Sequence, residues 1–254
     1  MVVDDTEARR CLKSAVMSPD LPETEIIAID RVELAVEPWS WEFASARREE
    51  IDRHFACLRR ERSALWNGRV LLVSNHTIAD GVLSGTCFET DYASFLAWRD
   101  WGFADRSVFN VFAAAALRSR NGEFLVGEMA PSTAAAGCIY FPSGTPDPDD
   151  VDAHGILDIA GSLSRELLEE TGIDIGTLEA EPGWRLVRDR GYLALMKLLA
   201  ARQNADDLRA RIMRYLASEA RPELADIRIV RGRADLDPRM PRYVTAFFDQ
   251  VWRQ

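Results

Sequence analysis

From Asp158 to Thr171 the chain reads DIAGSLSRELLEET, and Gly172 follows. Apolar residues at Ile156, Ile159, Leu163 and Leu167 recur at helical spacing, so one face of this segment turns toward a core. Gly172 stands where helices commonly stop. Such a helix dictates where its remaining side chains go. On ideal geometry Glu170 falls within about 40° of the centre of the apolar stripe, and Glu166, Glu169 and Glu170 share an arc of roughly 100°. A fold that buries the stripe must therefore bring a carboxylate to the edge of its core. No Lys or Arg lies between these glutamates. Like charges at i, i+3 and i+4 weaken a helix by a few tenths of a kcal/mol per pair, and an unpaired carboxylate beside a core is costly. A divalent cation reverses that balance, since Mg²⁺ takes carboxylate oxygens and substrate phosphates together. Arg165 is an i, i+4 partner of Glu169. The plain alternative is a solvated acidic helix end with a glycine stop.

The chain has 254 residues, enough for one large domain or two small ones. Its 47% apolar content supports a sizeable core, and its composition is not that of a disordered chain. The formal charge of −10 argues against general binding of nucleic acid or anionic membrane. A phosphorylated ligand then needs a local cation, from a side chain or a metal. The first residues, MVVDDTEARRCLKS, contain no apolar leader. The apolar-leaning run from Ser107 to Leu117 is too short to span a bilayer. Cys11, Cys57, Cys87 and Cys138 form no CxxC pair and read as reduced thiols of a soluble, cytoplasmic protein.

Residues 1–24 read as a polar lead-in. Ile26 to Val36 reads as one strand, and Trp39 to Arg62 as one helix with Ile51, Phe55 and Leu58 on its apolar face. Two Asn-Gly pairs, Asn67-Gly68 and Asn121-Gly122, signal hairpins, because a type I′ turn needs positive φ at both central residues. The second is expected to join Val108–Leu117 to Phe124–Met129. Thr90 to Trp101 looks helical. Residues 130–157 form a long Pro/Gly/Asp-rich passage, a kind of loop that often carries function. Tyr192 to Ala201 is a strand or a buried helix, Ala205 to Glu219 a helix, Asp226 to Arg231 a strand, and Pro241 to Trp252 a closing helix. This alternation gives an α/β or α+β class.

The run Arg165-Glu166-Leu167-Leu168-Glu169-Glu170-Thr171-Gly172-Ile173 matches, without a gap, the core of the Nudix box, REUXEEXGU with U aliphatic. Phe141-Pro142-Ser143-Gly144 resembles the family's entry to the box, with Gly144 as its first glycine. The match departs from the pattern in one place. Asp150 stands where the box has its first Glu, and the loop between Asp150 and Arg165 is seven residues longer than the pattern. Asp150 and Asp158 both remain as stand-ins for that Glu, Asp158 being equally a helix N-cap.

The resemblance implies an α/β/α sandwich with a mixed sheet over residues 105–254. Residues 1–104 would be an N-terminal extension of strands and a helix, serving substrate or dimer contacts. It implies a hydrolase that splits the diphosphate of a nucleoside diphosphate linked to another moiety. Glu166, Glu169 and Glu170 would hold Mg²⁺ or Mn²⁺, with Arg165 orienting them. Glu169, Glu170 and Glu223 stay open as the general base. Leu65-Trp66-Asn67-Gly68, then Thr90-Asp91-Tyr92, Phe95 and Arg99, is loosely similar to the N-terminal region of Nudix enzymes that cleave uridine diphosphate sugars. A nucleotide sugar or ADP-ribose is therefore the first substrate expectation. The longer loop motivates an alternative, a catalytically weak Nudix-type domain that binds a nucleotide as a sensor. Pairing into a homodimer is left open.

Other candidates carry less. His54 and Cys57 are two ligands short of a zinc site, His76 with Asp80 is a weak acid–base pair, and His154 lies in the inserted loop. Trp39, Trp41, Trp66, Trp98 and Trp101 read chiefly as core or interface, although one could stack on a base. No GxSxG elbow, Walker-type loop or GxGxxG fingerprint occurs.

Overall fold

A computed structural model describes residues 24–253. Cys11 and the polar lead-in before Thr24 lie outside the described residues. Strands β1 (Glu25–Ile29) and β2 (Arg31–Val36) come first, followed by helices α1 (Glu42–Ala46) and α2 (Arg48–Glu61). Next are β3 (Arg69–Ala79), β4 (Val82–Asp91), α3 (Tyr92–Asp100), β5 (Asn110–Arg118), β6 (Phe124–Met129) and β7 (Ile139–Tyr140). Helix α4 (Ile159–Thr171), β8 (Glu179–Ala180), β9 (Trp184–Asp189), β10 (Tyr192–Ala200), α5 (Ala205–Leu216), β11 (Leu224–Val230) and α6 (Arg242–Val251) complete the described chain.

The larger sheet is mixed, in the order β1-β9-β10-β5-β6-β11. Its centre is the parallel pair β5/β10, in register from Asn110↔Tyr192 to Arg118↔Ala200. Strand alternation sorts β5 between two cores. Val111, Ala113, Ala115 and Leu117 face the layer of α4 and α5, and Phe112, Ala114 and Ala116 face α6. Both faces are thus covered, which explains a strand that is apolar at nearly every position. The result is the expected α+β sandwich, a mixed sheet between helices.

A second sheet, β2-β4-β3, is built by the N-terminal part. In β3, Leu71 and Val73 join the core beneath α4, while Val70 and Leu72 face a separate cluster with Phe88, Phe95 and Trp98. Strand β1 pairs with β9 from Glu25↔Arg188 to Ile29↔Trp184, so the N-terminal segment contributes an edge of the larger sheet.

Several expected elements are cut differently. The single strand at 26–36 is two, broken at Asp30, where the amides of Asp30 and Arg31 both donate to the Gly81 carbonyl. The single helix at 39–62 is also two. Asn67-Gly68 makes no hairpin: the Asn67 side chain accepts from the Ala93 amide, and the Gly68 carbonyl accepts from Tyr92 N–H, so the pair anchors the start of α3. The hairpin turn of this sheet is Asp80-Gly81, with φ of 50° and 73°. Asn121-Gly122 does turn between β5 and β6, yet these strands share only the Arg118↔Phe124 pair. The gap that opens is filled by β7, which pairs with β6, and by Ser143, bridged to Ala114 of β5. This insertion carries the Pro142-Ser143-Gly144 turn to the side of α4. Ile156, expected in the apolar stripe, is 36% exposed, because it precedes the helix in a loop. No helix among the described residues is long and apolar enough to cross a membrane.

Candidate active site

Helix α4 is fixed at both ends. Asp158 is its N-cap, accepting from the Gly161 amide at 2.9 Å. Gly172 ends it in the left-handed conformation at φ 66°. The Tyr215 hydroxyl of α5 donates to the Glu169 carbonyl at 3.1 Å, bracing the last turn. Ile159, Leu163 and Leu167 are buried under the sheet as the periodicity requires.

With this face down, Arg165 is drawn across an acidic group. Its Nη2 donates to Asp150 Oδ2 at 2.9 Å, and its Nη1 to Glu166 Oε1 at 2.8 Å and Glu169 Oε2 at 3.3 Å. Burial opposes the guanidinium charge, but Glu166, Asp150 and Glu169 outweigh it and hold Arg165 firmly protonated. Of the two stand-ins for the upstream Glu, Asp150 is the one that meets Arg165. It is buried and also accepts from Ser162 Oγ at 3.0 Å. Past Asp150 the longer loop turns back on itself, with Val151 bridged to Leu157, and leans on β2 through the Ala35–Ile156 bridge. Asp158 N–H then donates to the Asp150 carbonyl. The extra residues are thereby looped out, and Asp150 stays beside Arg165.

Glu170 is 3% exposed, and neither carboxylate oxygen has a hydrogen-bond partner. Burial, then the charges of Glu166 and Glu223, push its pKa well above the usual carboxylate range. The nearby Ser143 amide favours the charged form and does not offset these effects. Glu166 is raised to about 7, by burial first, with Arg165 opposing and Glu169 and Glu223 reinforcing. Glu223, in the turn before β11, is raised by burial and by Glu169. Gly144 lies against the Glu166 carboxylate, where any Cβ would overlap it.

Glu166, Glu170 and Glu223 line a cleft of about 530 Å³ between the larger sheet and α3. A neighbouring cavity of about 710 Å³ shares Tyr92, Thr133, Ala134 and Glu223 with it and has Trp66, 79% exposed, among its lining residues. Glu169 points away, toward Arg165 and solvent. Among the described residues no three His, Cys, Asp or Glu side chains converge into a ready metal cage. The donor set nevertheless suits a hard cation: buried carboxylate oxygens without partners are the ligands Mg²⁺ or Mn²⁺ takes, the rest of its shell coming from water and substrate phosphate.

The other histidines have ordinary surroundings. His54 pairs with Asp100 rather than with Cys57, His76 packs edge-on against Phe109, and His154 is exposed. Trp41 and Trp98 are core residues. Sequence reasoning missed Asn110, Tyr140, Tyr192 and Tyr243, which also line the cleft. Only the polar Asn110 at the head of an apolar strand offered a signal.

Neither a family model nor a curated protein matches the chain. Solved structures do. A Nudix hydrolase from M. smegmatis, RenU, is 14% identical, with 56% of this chain and 82% of that one covered and a TM-score of 0.36. The MutT protein of Methanosarcina mazei Go1 is 17% identical over 57% and 94%, with a TM-score of 0.37. The Nudix domain of Shewanella oneidensis NrtR, solved with ADP ribose, is 13% identical over 57% and 87%, with a TM-score of 0.36. The chain is similar to Nudix proteins. In each case the similarity spans little more than half of the chain.

Proposed function

We propose that this chain is a Nudix-type, metal-dependent hydrolase that splits the diphosphate of a nucleoside diphosphate joined to a second moiety, releasing a nucleoside monophosphate and the phosphorylated remainder. The observation that carries the reading is Glu170: a buried carboxylate with both oxygens unpartnered, beside Glu166, on a cleft wall whose helix carries the core of the box from Arg165 on. A bound divalent ion would neutralise diphosphate charge and polarise the attacking water. Glu166 and Glu170 would hold it from the cleft wall, and Glu169 would join them by releasing Arg165. Arg165, held by Asp150, whose carboxylate accepts from Ser162, keeps Glu166 and Glu169 oriented. Glu223, facing the same cleft with a raised pKa, is suited to take a proton from water.

A nucleotide sugar is the first substrate to test, with ADP-ribose beside it, and the cytoplasm is the proposed location. A second reading, a nucleotide sensor with little turnover, is favoured by the lack of a converged three-ligand cage among the described residues. The experiment is a ³¹P NMR turnover screen with Mg²⁺ over UDP-glucose, ADP-ribose, NADH, diadenosine polyphosphates and nucleoside triphosphates, with Glu169→Gln in parallel. Cleavage of one class, lost in the variant and in excess chelator, supports the hydrolase. Turnover that survives both sinks it. Folded protein that binds nucleotide without metal and turns nothing over favours the sensor.

A further inference from the structure

We propose that Arg99, carried on α3 of the N-terminal segment, is the residue of this cleft that binds a substrate phosphoryl oxygen without the help of metal. The inference rests on the hydrolase reading for the identity of the cleft, but not for the binding event itself. Glu166, Glu170 and Glu223 line the cleft with carboxyl groups that repel a phosphate whenever they ionise, and the chain carries a net charge of −10. A metal held by α4 offsets repulsion at one end only. Among the described residues Arg99 is the sole Lys or Arg that lines the cleft.

Its setting is that of an oriented donor. Asp100 Oδ1 accepts from Arg99 Nε at 2.9 Å and lies 2.8 Å from Nη2 as its ion-pair partner, which holds the guanidinium. Asp100 is itself held, its second oxygen 2.9 Å from His54 Nε2. The guanidinium carbon lies 5.8 Å from the Phe95 ring centroid. A guanidinium has five N–H groups, and Asp100 engages one edge, so Nη1 remains for a ligand. The side chain is 22% exposed and lines the cleft. Tyr140 lines the same cleft and feels the charges of both Glu170 and Arg99.

A second, independent observation marks the same wall as built for a polar ligand. Asn110 is 3% exposed and lines the cleft. Its Nδ2 donates to Thr145 Oγ1 at 3.2 Å, while its buried Oδ1 has no partner. Asn110 stands opposite Tyr192 in the β5/β10 register, and the Arg99 charge acts on Tyr192. An open amide oxygen of this kind accepts from a ligand N–H or hydroxyl, so it suits the polar part of a nucleotide derivative beside the phosphoryl group rather than the phosphoryl oxygen itself.

The test is binding of UDP, with ADP alongside, by calorimetry in EDTA. Measurable metal-free binding is expected in the wild type. It should weaken about tenfold or more in Arg99→Gln, the worth of one charge-assisted hydrogen bond, with partial recovery in Arg99→Lys and a shallower salt dependence in Arg99→Gln. Should Arg99→Gln melt early, the wild type still decides: its Arg99 Nε–H resonance, assigned with the Arg99→Lys variant, must shift on adding UDP. Wild-type protein that binds neither nucleotide without metal, unchanged affinity in a folded Arg99→Gln, or an unmoved Arg99 resonance overturns the proposal. Turnover lost in Glu169→Gln together with an indifferent Arg99→Gln would leave the hydrolase standing without this residue. Metal-free binding lost in Arg99→Gln, with turnover indifferent to Glu169→Gln, would do the reverse.

Discussion

Glu170 sits where a leucine would pack better. A buried polar group without a partner costs about 1–3 kcal/mol, so Glu170→Leu is expected to raise metal-free stability by that order in urea melts. The same variant should lose any rise in Tm on adding Mg²⁺ or Mn²⁺. A lower metal-free stability would mean that the carboxylate is satisfied in solution. Asp150 acts one step out, through Arg165. Partners of this kind typically matter about 10–100-fold in metal affinity or activity, which is the loss expected for Asp150→Asn in kcat/KM at limiting metal, smaller than that for Glu170→Gln. Gly144 makes a sharper test. The nearest atoms a methyl group there would meet are the carboxylate end of the Glu166 side chain. Gly144→Ala should therefore leave Tm nearly unchanged and weaken metal binding. At this scale the helix was legible, because angular position alone puts Glu170 at the core edge. The choice between Asp150 and Asp158 was not, since seven extra residues break the spacing and only the looped-out backbone restores Asp150 to Arg165.

Among the elements, the β3–β4 hairpin shows what local signals miss. Asn67-Gly68 carries the stronger turn signature, yet its side-chain amide is used at the head of α3, and the turn falls to Asp80-Gly81. Propensity cannot decide between a pair that turns the chain and a pair that caps a neighbour. Strand β9 was not seen at all: Arg185 and Arg188 stand three apart in Trp184–Asp189 and break the two-residue alternation by which a strand is read. His76 on β3 gives this scale its pH test. It is half-buried against Phe109, with Thr77 and the Glu25–Arg188 ion pair nearby. Burial first, then Arg188, lowers its pKa below the ordinary value of 6.5. The folded state thus prefers the neutral ring. The stability this gives is present above about pH 6.5 and is lost as pH falls from there toward the lowered folded pKa. The raised Glu166 and Glu170 carboxyls act in the opposite sense over this range, so the test is the difference between proteins: the urea midpoint of His76→Gln should gain on that of the wild type as pH falls from 7.5 to 5.5. An identical slope in the variant would assign the pH dependence elsewhere.

On the scale of the molecule, the expected division at residues 104 and 105 cuts through shared structure. Strand β1 forms an edge of the larger sheet, and Leu34, Leu71, Val73, Leu83 and Cys87 share one core with α4 and α5. A fragment of residues 105–254 would expose that core and the β9 edge. It is expected to be insoluble or to melt without cooperativity, whereas the whole chain gives a cooperative transition in calorimetry. A well-folded, soluble fragment would show that the extension is an accessory.

The β1–β9 pairing also sets a timetable. Glu25 and Arg188 are partners, so β1 leaves the ribosome long before the strand that receives it. The parallel β5/β10 pair waits in the same way. Contacts so distant along the chain are slow to close and leave strand edges open meanwhile. Vectorial synthesis must hold β1 unmated for most of translation, and chaperone demand during that interval follows from the topology alone.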